Sequence, residues 1–141
     1  MSRTRHQRGV LDTSTVILLS RIVDARSLPV EPIITTVTLA ELSVGPLVTD
    51  DDKERAARQA HLQQAETDFT PLPFDPAAAR AFGQVAASLR QAGRKPAARA
   101  YDAMIAATAI SRGLPVYTAN PADFTGIDNL EVVTVEIPEQ A

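Results

Sequence analysis

Short apolar runs alternate with longer helix-spaced segments along the whole chain. Val10-Leu11 closes on Asp12-Thr13-Ser14, a polar triplet suited to capping a helix that starts near Thr13 and carries Val16, Ile17, Leu18, Leu19 and Ile22. Ile33-Ile34-Thr35-Thr36-Val37 is β-branched throughout and predicts a second, buried strand. A helix over about 38–48 follows, weakened at its end by Gly45-Pro46. Asp50-Asp51-Asp52 puts three acids at the positive end of a long polar helix that reaches about Thr67. Thr70-Pro71-Leu72-Pro73-Phe74 reads as a short strand, kept at an edge by its prolines. Asp75 is a cap followed by proline at the first helical position, opening an alanine-rich helix to about Ala92. Gly93-Arg94-Lys95-Pro96 breaks the chain, and a further helix over about 98–112 stops at Gly113. The last strands lie over 115–118 and 131–135, separated by a turn or short helix over 120–124. Strands alternating with helices in this order predict an α/β chain with a largely parallel sheet.

Composition narrows the chemistry. With 141 residues, 45% of them hydrophobic, the chain is long enough for one substantial core, and 4% aromatic content makes that core aliphatic. No internal repeat or long linker divides it. The absence of cysteine excludes disulfides, thiolate metal sites and cysteine nucleophiles, and two histidines leave little for zinc or a histidine triad. Residues 1–8 form a basic extension, but Asp12 interrupts the apolar run after it, as a secretory signal would not. Charges recur too often for a membrane span, so a soluble, cytoplasmic protein is expected. The net charge of -3 argues against a surface that grips a polyanion everywhere. Its distribution is uneven: Arg80, Arg90, Arg94, Lys95 and Arg99 fall in a stretch without acids, over 76–101, whereas the chain after Gly113 carries five acids and no base. A solvated helix face accounts for such a stretch; so does a patch for a phosphate backbone.

Four carboxylates stand at the ends of apolar runs: Asp12, Glu41, Asp102 and Asp123. Ligands of open parallel sheets bind beyond the carboxyl ends of the strands, and all four positions are compatible with that edge. Carboxylates drawn together there repel unless a cation or proton intervenes, and Mg²⁺ or Mn²⁺ prefers oxygen ligands. Each also has a structural use. Asp12 suits a helix cap, Glu41 would close a Thr38-x-x-Glu41 capping box, Asp102 has Arg99 nearby as a partner, and Asp123 suits a turn. Asp102 is the hardest to dismiss, because Ile105, Ala106, Ala109 and Ile110 place it on an apolar helix stripe.

Val10-Leu11-Asp12-Thr13-Ser14, Thr38-Leu39-Ala40-Glu41-Leu42, the run from Asp102-Ala103-Met104-Ile105 to Ala109, and Thr118-Ala119-Asn120-Pro121-Ala122-Asp123-Phe124 resemble, in order, the motifs of PIN-domain ribonucleases of the VapC toxin type. The resemblance spans roughly Gly9 to Val135. It implies a PIN-like α/β/α sandwich with a largely parallel central sheet, filling 9–141 as a single PIN domain. It further implies that Asp12, Glu41, Asp102 and Asp123 form an acidic metal site, supported through hydrogen bonds by Thr13, Ser14, Thr118 and Asn120. The activity implied is Mg²⁺-dependent endoribonucleolytic cleavage, with Mn²⁺ as a substitute, by a homodimer restrained by a VapB-type antitoxin. The basic extension before Gly9 is longer than the family's usual lead-in, and an RNA-contacting arm and an unstructured tail both remain open for it.

Within this expectation Asp12 and Asp102 hold the principal ion, and Arg94, Lys95 and Arg99 contact the RNA. The helices over 13–22 and 38–68 offer apolar surface to an antitoxin helix. A phosphoacceptor signalling domain would want adjacent acids after the first strand and a late lysine, whereas the chain has Asp12-Thr13-Ser14 and no lysine beyond Lys95. A PIN-like binding module without catalysis is the other alternative.

Overall fold

Four short strands, β1 (Arg8–Leu11), β2 (Glu31–Ile33), β3 (Val116–Thr118) and β4 (Val132–Thr134), pair in parallel in the order β2-β1-β3-β4. The computed structural model describes residues 5–138. Because side chains alternate across a strand, Val10 and Val116 point to one face of the sheet while Leu11 and Tyr117 point to the other. Each face is covered by helices, as a parallel sheet requires.

On the first face, Val37 of α2 (Thr36–Val44) and Ile105, Ala106 and Ala109 of α5 (Ala100–Ser111) pack on Val10, Ile33 and Val116. On the second, Val16 of α1 (Thr13–Ile17) and Ala65 of α3 (Asp52–Asp68) pack on Leu11 and Tyr117. Outside α5, α4 (Pro76–Gln91) lays Val85 and Leu89 against Ala103 and Ala107 of that helix. The result is an α/β/α sandwich in which α5 lies between the sheet and α4. Its small alanines permit that position: Ala103, Ala106, Ala107 and Ala109 are all fully buried. Gly9 serves the opposite face, since a Cβ there would lie 2.7 Å from the Tyr117 ring.

Several elements differ from the sequence-based expectation. The helix expected over 13–22 is a five-residue α1, followed by a 3-10 turn at Leu19–Arg21. The strand expected over 33–37 is β2, ending at Ile33, because Thr35 turns to cap α2: its Oγ1 accepts the Thr38 amide at 3.3 Å. β-branched content favoured a strand, but the hydroxyls of Thr35 and Thr36 serve chain ends instead, the latter accepting the Phe74 amide. The Thr38-x-x-Glu41 capping box therefore does not form, and Glu41 lies in the second turn of α2. The 70–74 segment contributes one parallel bridge, Leu72 to Thr35, in place of a strand. Asp51, within the acid triplet, caps α3, and Asp75 caps α4 before Pro76 as expected. A 3-10 turn at Pro96–Arg99 precedes α5, so this helix begins later than expected.

Of the basic extension, residues 1–4 lie outside the described residues. Arg5 donates to the Leu28 and Ala25 carbonyls, and the His6 and Gln7 carbonyls accept the Val30 and Glu31 amides, so the segment is attached ahead of β1. Among the described residues no helix is long and apolar enough to cross a membrane.

Candidate active site

The strand order reverses between β1 and β3, the two central strands, and in such a sheet the crevice outside the carboxyl ends at that point is where ligands bind. Asp12 follows β1 there and is 2% exposed. A buried carboxylate is costly unless its oxygens are satisfied. Oδ1 accepts from the Thr15 amide at 3.2 Å and from the Thr15 hydroxyl; Oδ2 accepts from Thr118 at 2.7 Å and Ser14 at 3.2 Å. Asp12 thus caps α1, as one reading expected, and is held across the sheet by β3 as well.

Asn120 reaches the same carboxylate indirectly, donating through Nδ2 to Ser14 Oγ at 3.2 Å. Its amide is received by Thr118 Oγ1 at 2.9 Å, which aligns the chain leaving β3. Glu41 arrives from α2 on the β2 side, where Thr13 Oγ1 donates to Oε1 at 2.7 Å. Thr38 lies 3.0 Å from Thr13 Oγ1, and with the Thr13 proton committed to Glu41, Thr38 is the donor. The chain Thr38 to Thr13 to Glu41 therefore fixes one acid to the start of α1.

Asp102 enters from the first turn of α5. Its carboxyl is pushed up to about 6, chiefly by burial and then by the negative charges of Asp123, Glu41 and Asp12, with Arg99 acting in the opposite direction. Glu41 is likewise raised, by burial first and by Asp12, against the hydrogen bond from Thr13. Four elements distant in sequence thus bring their acids within electrostatic reach of one another. Asp123 sits on the 3-10 turn Pro121–Phe124 and pairs with Arg99, Nη1 to Oδ1 at 2.8 Å. The pairing of Arg99 with Asp102 that the sequence suggested is replaced by this one.

A PIN domain family model matches residues 10–130. The chain belongs to the PIN-domain family. It is similar to Ribonuclease VapC5 of Mycobacterium tuberculosis, 40% identical over 129 residues that cover 90% of this chain and 93% of the relative. Ribonuclease VapC of Rickettsia bellii is 30% identical over 133 residues, covering 92% and 98% respectively. Among solved structures, VapBC-5, a member of the VapBC family of toxin-antitoxin systems from Mycobacterium tuberculosis, superposes with a TM-score of 0.77 at 37% identity, covering 92% of this chain and 99% of that one.

In this PIN domain the donor set facing the crevice is all oxygen and mostly anionic, which fits a hard divalent cation and no softer metal. Among the described residues no three acids are yet gathered tightly enough to enclose an ion. Of the three predicted phosphate contacts, Arg94 and Arg99 are engaged within the chain, while Lys95 is exposed and its side chain has no ion pair among the described residues.

Sequence reasoning missed Thr15, and it gave Thr38 a helix-capping role where the structure has it bonded to Thr13. Thr15 is fully buried and its hydroxyl both holds Asp12 and accepts the Ala119 amide at 3.0 Å, tying the crevice's two sides together. The signal was present, since a hydroxyl three residues after a capping aspartate lies on the capped side of the first turn. What the sequence lacks is the approach of Ala119, which only the β1–β3 pairing supplies.

Proposed function

We propose that this PIN domain is a ribonuclease toxin, a hydrolase that cleaves phosphodiester bonds of cellular RNA in the cytoplasm and is neutralised by a VapB-type antitoxin. The observation that carries it is that Asp102, raised first by burial, is raised further by the negative charges of Asp123, Glu41 and Asp12, which come from three other parts of the chain. The ribonuclease names of the two relatives and the toxin-antitoxin assembly of the structural neighbour support the same reading.

Asp12 and Asp102 are assigned as holders of Mg²⁺, with Mn²⁺ as a substitute, and Glu41 and Asp123 complete the site. When bound, the ion supplies Lewis-acid neutralisation of phosphoryl charge and lowers the pKa of water. The chain's own residues do the rest. Thr15, Ser14 and Thr118 fix Asp12 so that little reorganisation is needed on binding. Asp102, with its carboxyl near 6, is already mostly ionised at neutral pH, and a bound cation would favour that charged form further. Thr13, Ser14, Thr118 and Asn120 are supporting residues, and exposed Lys95 is the favoured phosphate contact of its segment. The cleft between α1 and α3, where Val16, Ile17, Leu19, Ala60, Ala65 and Phe69 stand beside Ser20, His61, Gln64 and Asp68, suits an amphipathic antitoxin helix. A homodimer is part of the same proposal.

The test is to map new RNA 5′ ends after brief induction of the intact chain and of Asp102→Asn without antitoxin. Discrete new ends with the intact chain only are expected. Identical ends with the variant remove Asp102 from catalysis, and no ends with the intact chain return the protein to the binding-module reading.

A further inference from the structure

The α4–α5 connection, over 92–99, lies against the turn that carries Asp123, and two arginines join the two segments. Arg94 Nη1 donates to the carbonyls of Ala122 at 3.5 Å and Thr125 at 3.3 Å, on either side of Asp123. Arg99 Nη1 donates to the Asp123 carboxylate itself at 2.8 Å. The turn's exit is pressed against the same connection: Gly126 has φ 90°, and a Cβ there would lie 3.0 Å from the Ala92 Cβ and 3.4 Å from the Arg94 Cδ.

Little else directs the fourth acid. Its turn is a four-residue 3-10 segment without a side-chain cap, closed by the Asp123 amide on the Asn120 carbonyl and the Thr125 amide on the Ala122 carbonyl. Phe124 is the one buried residue within it. A carboxylate on so short a turn swings with its backbone, and ligand carboxylates elsewhere are oriented by hydrogen bonds from behind.

We propose that Arg94 and Arg99 are positioning residues that bracket the Asp123 turn, Arg94 through its backbone and Arg99 through its carboxylate, and so set the direction of the fourth acid toward the metal site. The inference rests on the assignment of Asp123 to that site. It moves two arginines of the basic segment from RNA contact to site construction. A guanidinium that left for a phosphate would give up the contact that holds the turn. Charge alone makes the opposite forecast for metal binding: removing a cation beside acids strengthens their attraction for Mn²⁺, whereas removing a positioning contact weakens it.

The test compares the full chain with Arg94→Gln, Arg99→Gln, Arg99→Lys and Asp123→Asn. Amide hydrogen exchange over 122–126 is measured without metal, and Mn²⁺ binding is measured by calorimetry without RNA. The bracket predicts faster exchange at Asp123 and Thr125 in both glutamine variants and Mn²⁺ binding weakened about 10-fold, at the low end of the range for such supporting contacts. Arg99→Lys, which keeps a charged donor, should restore most of the affinity. Unchanged exchange in both glutamine variants, or tighter Mn²⁺ binding in Arg99→Gln, overturns the proposal. If exchange rises but Asp123→Asn binds Mn²⁺ as the parent does, the assignment of Asp123 to the metal site is what falls, and the positioning role toward metal falls with it.

Discussion

Asp102 carries the clearest cost of the site. Its carboxyl is raised from an ordinary 3.8 to about 6 by burial and by three neighbouring acids, so the folded chain holds this proton more tightly than the unfolded chain does. The stabilising contribution is therefore complete below pH 3.8 and is lost as pH rises through about 6. Asp102→Asn should remove that loss. In metal-free buffer the variant is expected to melt above the parent at pH 7.5, with the difference shrinking toward pH 4. Thermal melts across that range check it, and equal melting at pH 7.5 would show that the neighbouring acids impose no strain. The same substitution abolishes cleavage under the proposed function, so stability and activity should move in opposite directions at one atom pair. Asp102 was legible as chemistry because its helix stripe is apolar. Its partners were not, since the sequence placed Arg99 three residues away on the same segment and gave no sign that Asp123 would capture it.

Helix starts decide where the acids point. α1 begins at Asp12, α2 at Thr35 and α5 after a 3-10 turn, and each start orients one acid: Asp12 itself, then Glu41, then Asp102. The α2 start was misplaced by three residues in the sequence reading. Thr35, Thr36 and Thr38 are all competent caps and all β-branched, so local preference does not choose among them. The choice is made by the bridge from Thr35 to Leu72, which ends β2 early. Thr35→Ala should cost about 1 kcal/mol, the usual loss for a removed N-cap. Thr35→Ser should recover most of it. Urea unfolding of the three proteins checks both, and an alanine variant as stable as the parent would take the cap out of the account. The short length of α1 has a similar origin. Leu18 to Ile22 are apolar enough to continue a helix, but the chain turns to lay Leu19 and Ile22 on the core shared with Leu11 and Tyr117.

At the scale of the whole molecule, the site draws on both faces of the sandwich. α1 lies on one face and α5 on the other, while β1 and β3 between them bring Asp12 and Thr118 into contact. An ion bound across these elements should stabilise the entire fold, because it binds the native arrangement and not the unfolded chain. Mn²⁺ at 100 times its Kd is expected to add about 2.7 kcal/mol, reversed by a chelator. Asp12→Asn should show a much smaller effect. Melting curves with and without Mn²⁺ test this, and an equal shift in Asp12→Asn would move the ion away from the crevice. The sequence by itself determined the α/β alternation, the aliphatic core and the four acids. These depend on periodicity, composition and residue type, which are properties of neighbours along the chain. Only the tertiary structure decided the strand order β2-β1-β3-β4, the Thr35 cap, and the bonds that join Thr15 to Ala119 and Arg99 to Asp123. Those contacts pair groups whose attraction depends on distance through space, and no local pattern encodes that distance.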